Sequence, residues 1–207
     1  METGIKFVAI RSLSKALRIV GLKQYAWNIE HKSLFWLTNK KSQLMIDIIA
    51  EILNGGVVVE FGCGDGTLPL YLPEDGFSKY TGYDISSVAI QMCQKANRNP
   101  KISFDTKGME SWEEHDAEKV DTIICEECLN YLDEPSLNRF LNVCCSNLKP
   151  DGQIFAAVHS RTKHARTIEQ IRNSMNIVKE INQGQRIYMI VRCKTSAATV
   201  DGVDVPS

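Results

Sequence analysis

Apolar residues at positions 44, 45, 48, 49, 52 and 53 recur at helical spacing through 41–53. The stripe stops at Asn54-Gly55-Gly56, residues that end helices well. Val57-Val58-Val59 follow at once, β-branched and apolar on both faces, which is the pattern of a buried parallel strand. After a glycine-dense turn, 68–72 is expected to open a helix, with Pro69 tolerated in its first turn. The alternation continues with a strand over 80–84, a helix over 88–97 burying Ile90, Met92 and Cys93, and strands over 101–104 and 120–125. A helix over 135–148 ends at Lys149-Pro150-Asp151-Gly152, before a strand over 153–159 and a helix over 165–175. Two last strands, 177–181 and 186–194, flank Asn182-Gln183-Gly184-Gln185, a hairpin turn. Strand and helix in alternation predict an α/β fold: a doubly wound, mostly parallel, seven-stranded sheet with a C-terminal antiparallel hairpin strand.

Outside this core, 41–195, the chain has an N-terminal helical stretch, 1–40, and a small, polar tail, 196–207, expected to be flexible. Between Gly4 and Asn28 stand Lys6, Arg11, Lys15, Arg18 and Lys23 and no acid, with Ile5, Val8, Ala9, Leu13, Ala16, Leu17 and Val20 at helical spacing. Three readings of this basic amphipathic helix stay open: a helix or lid packed on the core, a transit peptide, or a membrane-surface helix. The 207 residues suit one domain, and a net charge of −1 gives no global pull toward nucleic acid. No stretch is long and apolar enough to span a bilayer, so a soluble protein is expected. The seven cysteines, odd in number and set in apolar segments, are expected to be reduced core thiols of a cytoplasmic protein. Cys125 and Cys128 form a CxxC, yet no second ligand pair follows at zinc spacing, and no metal is expected.

In an open α/β sheet, ligands bind beyond the carboxyl ends of the strands, at the first βα turn. That turn reads Glu60-Phe61-Gly62-Cys63-Gly64-Asp65-Gly66-Thr67. A dinucleotide fingerprint needs a small residue at 67, where Thr67 stands; the motif is instead ExGxGxG. A carboxylate at the strand end disfavours a pyrophosphate and suits a ligand carrying an ammonium and a sulfonium. Asp84, eighteen residues after Gly66 at the end of the next strand, is placed to take both hydroxyls of a ribose.

From Ser42 to Cys193 the chain resembles the class I S-adenosylmethionine (AdoMet)-dependent methyltransferases, whose fold is Rossmann-like. The resemblance implies AdoMet as cofactor and S-adenosylhomocysteine as product. It implies that Glu60, Gly62, Cys63, Gly64 and Gly66 form the loop under methionine and ribose, that Asp84 bonds the ribose, and that Ile85 packs on adenine. The acid usual after the third strand is missing: Gly108 stands there, leaving the main chain of Met109, or Asp105 in a shifted loop, to meet adenine.

The segment from Cys125 through Glu126, Glu127, Cys128, Leu129 and Asn130 to Tyr131 resembles the family's strand-four motif, which places Glu126 with the cofactor. Tyr131, with His159 ending strand five, resembles the nodulation-type N-methyltransferase branch. Glu127 is a candidate to orient the acceptor, or else a charge suited to a helix N-terminus. Tyr131 lies over the acceptor or packs half-buried; His159 accepts a proton or bonds a neighbouring carbonyl. His31, Trp36 and Tyr25 sit before the core and are either packed into it or aromatic candidates for a lid that stacks on a cation. No Asn/Asp-Pro-Pro-Tyr segment of the base-amino methyltransferases occurs, and no paired histidines for metal-assisted RNA methylation. The expectation is methyl transfer to a small-molecule acceptor, nitrogen preferred over oxygen, without nucleic acid and with the oligomeric state open. Two rivals remain: a protein or RNA methyltransferase docking through the basic N-terminal helix, and a non-catalytic partner subunit of the same fold.

Overall fold

In the computed structural model, residues 2–33, 41–114 and 118–194 are described. The expected tail and Trp36 lie outside them. Thirteen main elements follow one another: α1 (Glu2–Ile19), α2 (Lys23–Ser33), α3 (Gln43–Ala50), β1 (Val57–Phe61), β2 (Lys79–Asp84), α4 (Ser87–Ala96), β3 (Ile102–Thr106), β4 (Val120–Glu126), α5 (Glu134–Asn147), β5 (Leu148–Val158), α6 (Ala165–Ser174), β6 (Met175–Gln183) and β7 (Arg186–Cys193). The seven strands form one sheet in the order β3-β2-β1-β4-β5-β7-β6. Strands β1 to β5 pair in parallel, and β7 runs antiparallel to both β5 and β6. The chain leaves β1 toward β2 and β3, then returns to β4 on the other side of β1. The carboxyl ends of β1 and β4 therefore flank the switch point, where a crevice opens.

Alternation along the central strands sends side chains into two apolar layers. Val57, Val59, Phe61, Ile123 and Cys125 face α5 and α6, packing with Leu137, Phe140, Leu141, Ile168 and Ile171. Val58, Ile124 and Phe155 face the other way, toward Met45, Ile48, Ile49, Ile90 and Cys93 of α3 and α4. With both faces covered, the central strands are mostly apolar, Glu60 of β1 and Thr122 of β4 being buried polar exceptions.

Four expectations are corrected. Met92, expected on the buried side of its helix, is 52% exposed on α4, where Ile90 and Cys93 are buried as expected. The basic N-terminal stretch is two helices, because the chain turns at Gly21 with φ +83°, a backbone state that costs glycine little. Residues 68–72 form only a single 3-10 turn, Leu68–Leu70, since Pro73 follows too soon for a longer helix. The cysteines are not all reduced: Cys145, in the last turn of α5, is bonded to Cys193 at the end of β7. Forty-eight residues separate the two in sequence, but packing brings their Cα atoms to 5.6 Å, a contact no local pattern reveals. This pair removes two thiols from the reduced set on which a cytoplasmic setting was expected. Cys63, Cys93, Cys125, Cys128 and Cys144 are free and buried, and among the described residues no cluster could hold a metal ion. No described helix is long and apolar enough to cross a membrane.

Candidate active site

Strand β1 ends at Phe61, and the chain turns sharply over the next five residues. Gly62 has φ +72°, and a Cβ there would stand 2.9 Å from the Cβ of Cys128, so only glycine fits. The N–H groups of Gly62 and Cys63 both donate to the carbonyl of Tyr83, at 2.8 and 3.0 Å, locking the loop to the end of β2. Gly66, at φ +67°, serves packing: a Cβ would meet the Sγ of Cys93 at 2.7 Å and the Phe104 ring at 2.8 Å.

Asp84 closes β2 and points at this loop. Its Oδ2 accepts from the N–H of Gly64 at 3.1 Å and its Oδ1 from the N–H of Ser86 at 2.8 Å. The carboxylate is thus fixed by backbone donors while each oxygen retains accepting capacity for a hydroxyl pair. Ile85, Gly108 and Met109 flank the same crevice, the Ile85 Cδ1 lying 3.8 Å from where a Cβ on Gly108 would stand.

The crevice is a cavity of about 270 Å³. Gly62, Cys63, Gly64, Asp84, Ile85, Met109, Glu126, Glu127 and Tyr131 all line it, so the structure brings together nine of the residues singled out from sequence. Three others it does not. Glu60 lies beneath the loop, fully buried, its Oε2 accepting from the Tyr80 hydroxyl at 2.7 Å. Burial pushes this carboxyl up to about 7, against the pull of the Lys41 ammonium and the Tyr80 hydrogen bond. Gly66 packs below the loop, and His159 is exposed, outside the cavity wall. Asp105 is likewise exposed and bonds its own neighbour, the N–H of Thr106.

Helix α2 roofs the cavity with Lys23, Trp27 and His31, successive positions on one helical face. Asn28 fastens this roof: its Oδ1 accepts from the Ser86 hydroxyl at 2.8 Å and the Val88 N–H at 3.3 Å, at the start of α4. At the outer rim, Lys23 pairs with Glu110 at 2.9 Å. Trp27 meets Tyr131 edge-on at 4.9 Å, and the Arg18 guanidinium covers the Trp27 ring at 4.5 Å. Burial raises the Tyr131 hydroxyl above its ordinary value, keeping it protonated at neutral pH.

At the floor, two ion pairs stand side by side. Lys41 bonds Glu126 at 2.6 Å, and Arg186, opening β7, bonds Glu127 at 2.7 Å. Burial alone would lower Lys41, but the Glu126 and Glu60 carboxylates outweigh it and raise it, so the ammonium stays charged. Glu127 has φ +54°, a left-handed state that a non-glycine residue adopts at a cost of roughly 1–3 kcal/mol. Its N–H donates to Ala157 at 2.9 Å, holding the strained turn in place.

Trp27, Lys41, Arg186 and Tyr188 escape sequence reasoning. Trp27 carries one readable signal, its spacing four residues before His31. Arg186 reaches the floor because the sheet order sets β7 beside β5, Lys41 reaches it from the segment just before α3, and nothing in the local pattern announces either. His31 lines the cavity from α2, whereas Tyr25 points to solvent.

The donor set fits AdoMet. Asp84 suits the ribose hydroxyls, Ile85 and Met109 frame a slot for a flat base, and the paired charges of Lys41 and Glu126 match an amino-acid carboxylate and ammonium. His31 adds a physical sign: it is 8% exposed and its Nδ1 is buried without a protein partner, beside Asp84. Burial lowers its basicity, leaving a neutral imidazole able to bond an uncharged ligand group.

Residues 58–152 match the family model described as a methyltransferase domain. Among solved structures, the fold is similar to that of the N-methyltransferase NodS from Bradyrhizobium japonicum WM9, with a TM-score of 0.62 and 18% identity over 72% of this chain and 92% of that one. NodS has also been solved in complex with S-adenosyl-L-homocysteine (TM-score 0.59, 18% identity, 76% and 94% covered). An S-adenosylmethionine-dependent methyltransferase from Clostridium acetobutylicum is similar with a TM-score of 0.64 and 14% identity, over 79% of this chain and 96% of that one. At such identities the structural likeness speaks for the fold. No curated protein matches the sequence.

Proposed function

We propose that this chain is a class I AdoMet-dependent methyltransferase, a reading supported by the methyltransferase-domain match over residues 58–152, and that it transfers the cofactor's methyl group to a small-molecule acceptor, an amine nitrogen being preferred over a hydroxyl. The observation that carries the reading is the roof: α2 covers a cavity of about 270 Å³, with Trp27 and His31 in its wall. A cofactor and a small acceptor suit such a covered space; the face of a folded macromolecule does not.

Bound AdoMet supplies a methyl group on a sulfonium, an electrophile that needs alignment more than activation. Asp84 holds the ribose and the Gly62–Gly64 backbone lies against the methionine end. Ile85 and Met109 enclose the base, while Lys41 and Glu126 meet the amino-acid charges. Glu127 and Tyr131 stand on the acceptor side. The Glu127 carboxylate accepts a hydrogen bond from an amine N–H and orients its lone pair toward the methyl carbon. Tyr131, protonated and braced by Trp27, walls off water and offers its ring to the positive charge that grows on nitrogen. The preference for nitrogen rests on these two groups and on the lack of any metal cluster among the described residues.

The test is to incubate the protein with methyl-labelled AdoMet and a cell extract split by size into small molecules and macromolecules. Label is expected among amines of the small fraction. Label confined to protein or RNA would overturn the acceptor class, and label on hydroxyls alone would overturn the preference for nitrogen.

A further inference from the structure

Helix α1 presents a surface that the cavity does not use. Ser14, Leu17 and Arg18 turn inward to α2, where Arg18 and Ser14 both bond Glu30. The opposite side is open. Val8 is 63% exposed, Leu13 51%, Ile19 76% and Val20 68%, with Ala9 and Ala16 exposed between them. The patch continues past the Gly21 turn through Leu22 and Tyr25. Arg11 and Lys15 are exposed along one flank of the helix, and no acid lies between Gly4 and Asn28. Residues 2–33 carry six lysines and arginines against two acids, a net of +4 in a chain of −1, so the remainder carries −5.

We propose that this face of α1 docks on an anionic lipid bilayer, with Val8, Leu13, Ile19 and Val20 among the headgroups and the basic flank at the level of the phosphates. Charge and apolarity together single out this occupant. A nucleic acid would be drawn to the cations but gains nothing from four large aliphatic side chains. A second copy would set +4 against +4. A bilayer rewards both features: buried aliphatic surface, and attraction of each basic residue to anionic headgroups. Helix α1 packs chiefly on α2 among the described elements, which leaves this face free to meet a bilayer.

The measurement is co-sedimentation of the full chain with phosphatidylcholine vesicles, with and without a minor share of phosphatidylglycerol, at low and raised salt. Binding is expected to the anionic vesicles, to weaken as salt rises, and to be much lower on the neutral ones. Lys15→Glu should weaken partitioning by roughly ten-fold or more, and Ile19→Asp should abolish it. Both variants should keep the circular dichroism spectrum and the AdoMet affinity of the parent, which separates this proposal from the assignment of the cavity. Failure to sediment with anionic vesicles would overturn it. So would a concentration-dependent dimer that Ile19→Asp dissolves, since the face would then belong to a second copy. RNA binding that Lys15→Glu removes and Ile19→Asp leaves intact, without vesicle binding, would give the charge to nucleic acid instead.

Discussion

Glu60 occupies the fourth of the five positions of β1 in a fully buried site, with the Tyr80 hydroxyl as partner on one side and its Oε1 unpartnered. In the unfolded chain such a carboxyl titrates near its ordinary 4.5, whereas in the fold burial moves it to about 7. Between those values the folded state holds a proton that the unfolded state has released, so stability falls as pH rises through the window. The loss is on the order of 3 kcal/mol. Glu60→Gln stays neutral throughout and should flatten the dependence; thermal melts at pH 5 and pH 8 would show it, and an unchanged slope in the variant would refute the assignment. Glu127 makes the opposite point, as a residue whose strain accompanies a role. Glu127→Gly relieves the φ of +54° and should leave the melting temperature level or slightly higher, although it deletes the pair with Arg186. Turnover should nevertheless fall by at least about ten-fold with little change in AdoMet affinity, if one oriented hydrogen bond is lost. A variant with full turnover would remove Glu127 from the acceptor side. The spacing of Gly62, Gly64 and Asp84 is readable in sequence because loop and ligand geometry impose it locally. Glu60 shows the limit of such reading: the motif is there, but only the packed structure puts its carboxyl under the loop instead of in the cavity.

Among the elements, α2 decides what can reach the cavity. Its hold on the domain is narrow, chiefly the Asn28 contacts with Ser86 and Val88 and the exposed Lys23–Glu110 pair. The exposed pair contributes little, so Asn28 is the anchor. Asn28→Ala should speed amide exchange in α2 and weaken AdoMet binding by roughly ten-fold, while α3 and the sheet keep their protection. Unaltered exchange in α2 would mean that the roof is held by something else. Strands β1 to β5 and helices α4 to α6 fall close to the positions their apolar periodicity predicts, since each buries a regular face. The misses share another cause. The break at Gly21, the single turn at Leu68–Leu70 and the start of β5 directly at Leu148 all lie at element ends. There, one backbone angle or one neighbouring strand outweighs periodicity.

At the scale of the molecule, the order β3-β2-β1-β4-β5-β7-β6 places one crevice at the switch point, and the charged groups of its floor come together from three places: Lys41 ahead of α3, Glu126 and Glu127 at the end of β4, and Arg186 at the start of β7. Sequence alone yields the alternation, and with it the class of fold and the location of the crevice. It does not yield the long-range partners, Lys41 with Glu126 and Arg186 with Glu127, because those depend on how the segment before α3 and strand β7 come to lie against the end of β4. Nor does it reveal the Cys145–Cys193 bond that ties α5 to β7. The central claim is that the carboxylate at the end of β2 grips the ribose of AdoMet in this crevice. Calorimetric titration of the parent chain and of Asp84→Ala with S-adenosylhomocysteine tests it most directly. The account predicts saturable one-to-one binding by the parent. Asp84→Ala removes about two charge-assisted hydrogen bonds, so affinity should drop by on the order of 10²–10⁴ with the fold intact. Equal affinity of the two proteins, or no heat of binding from the parent, would contradict it.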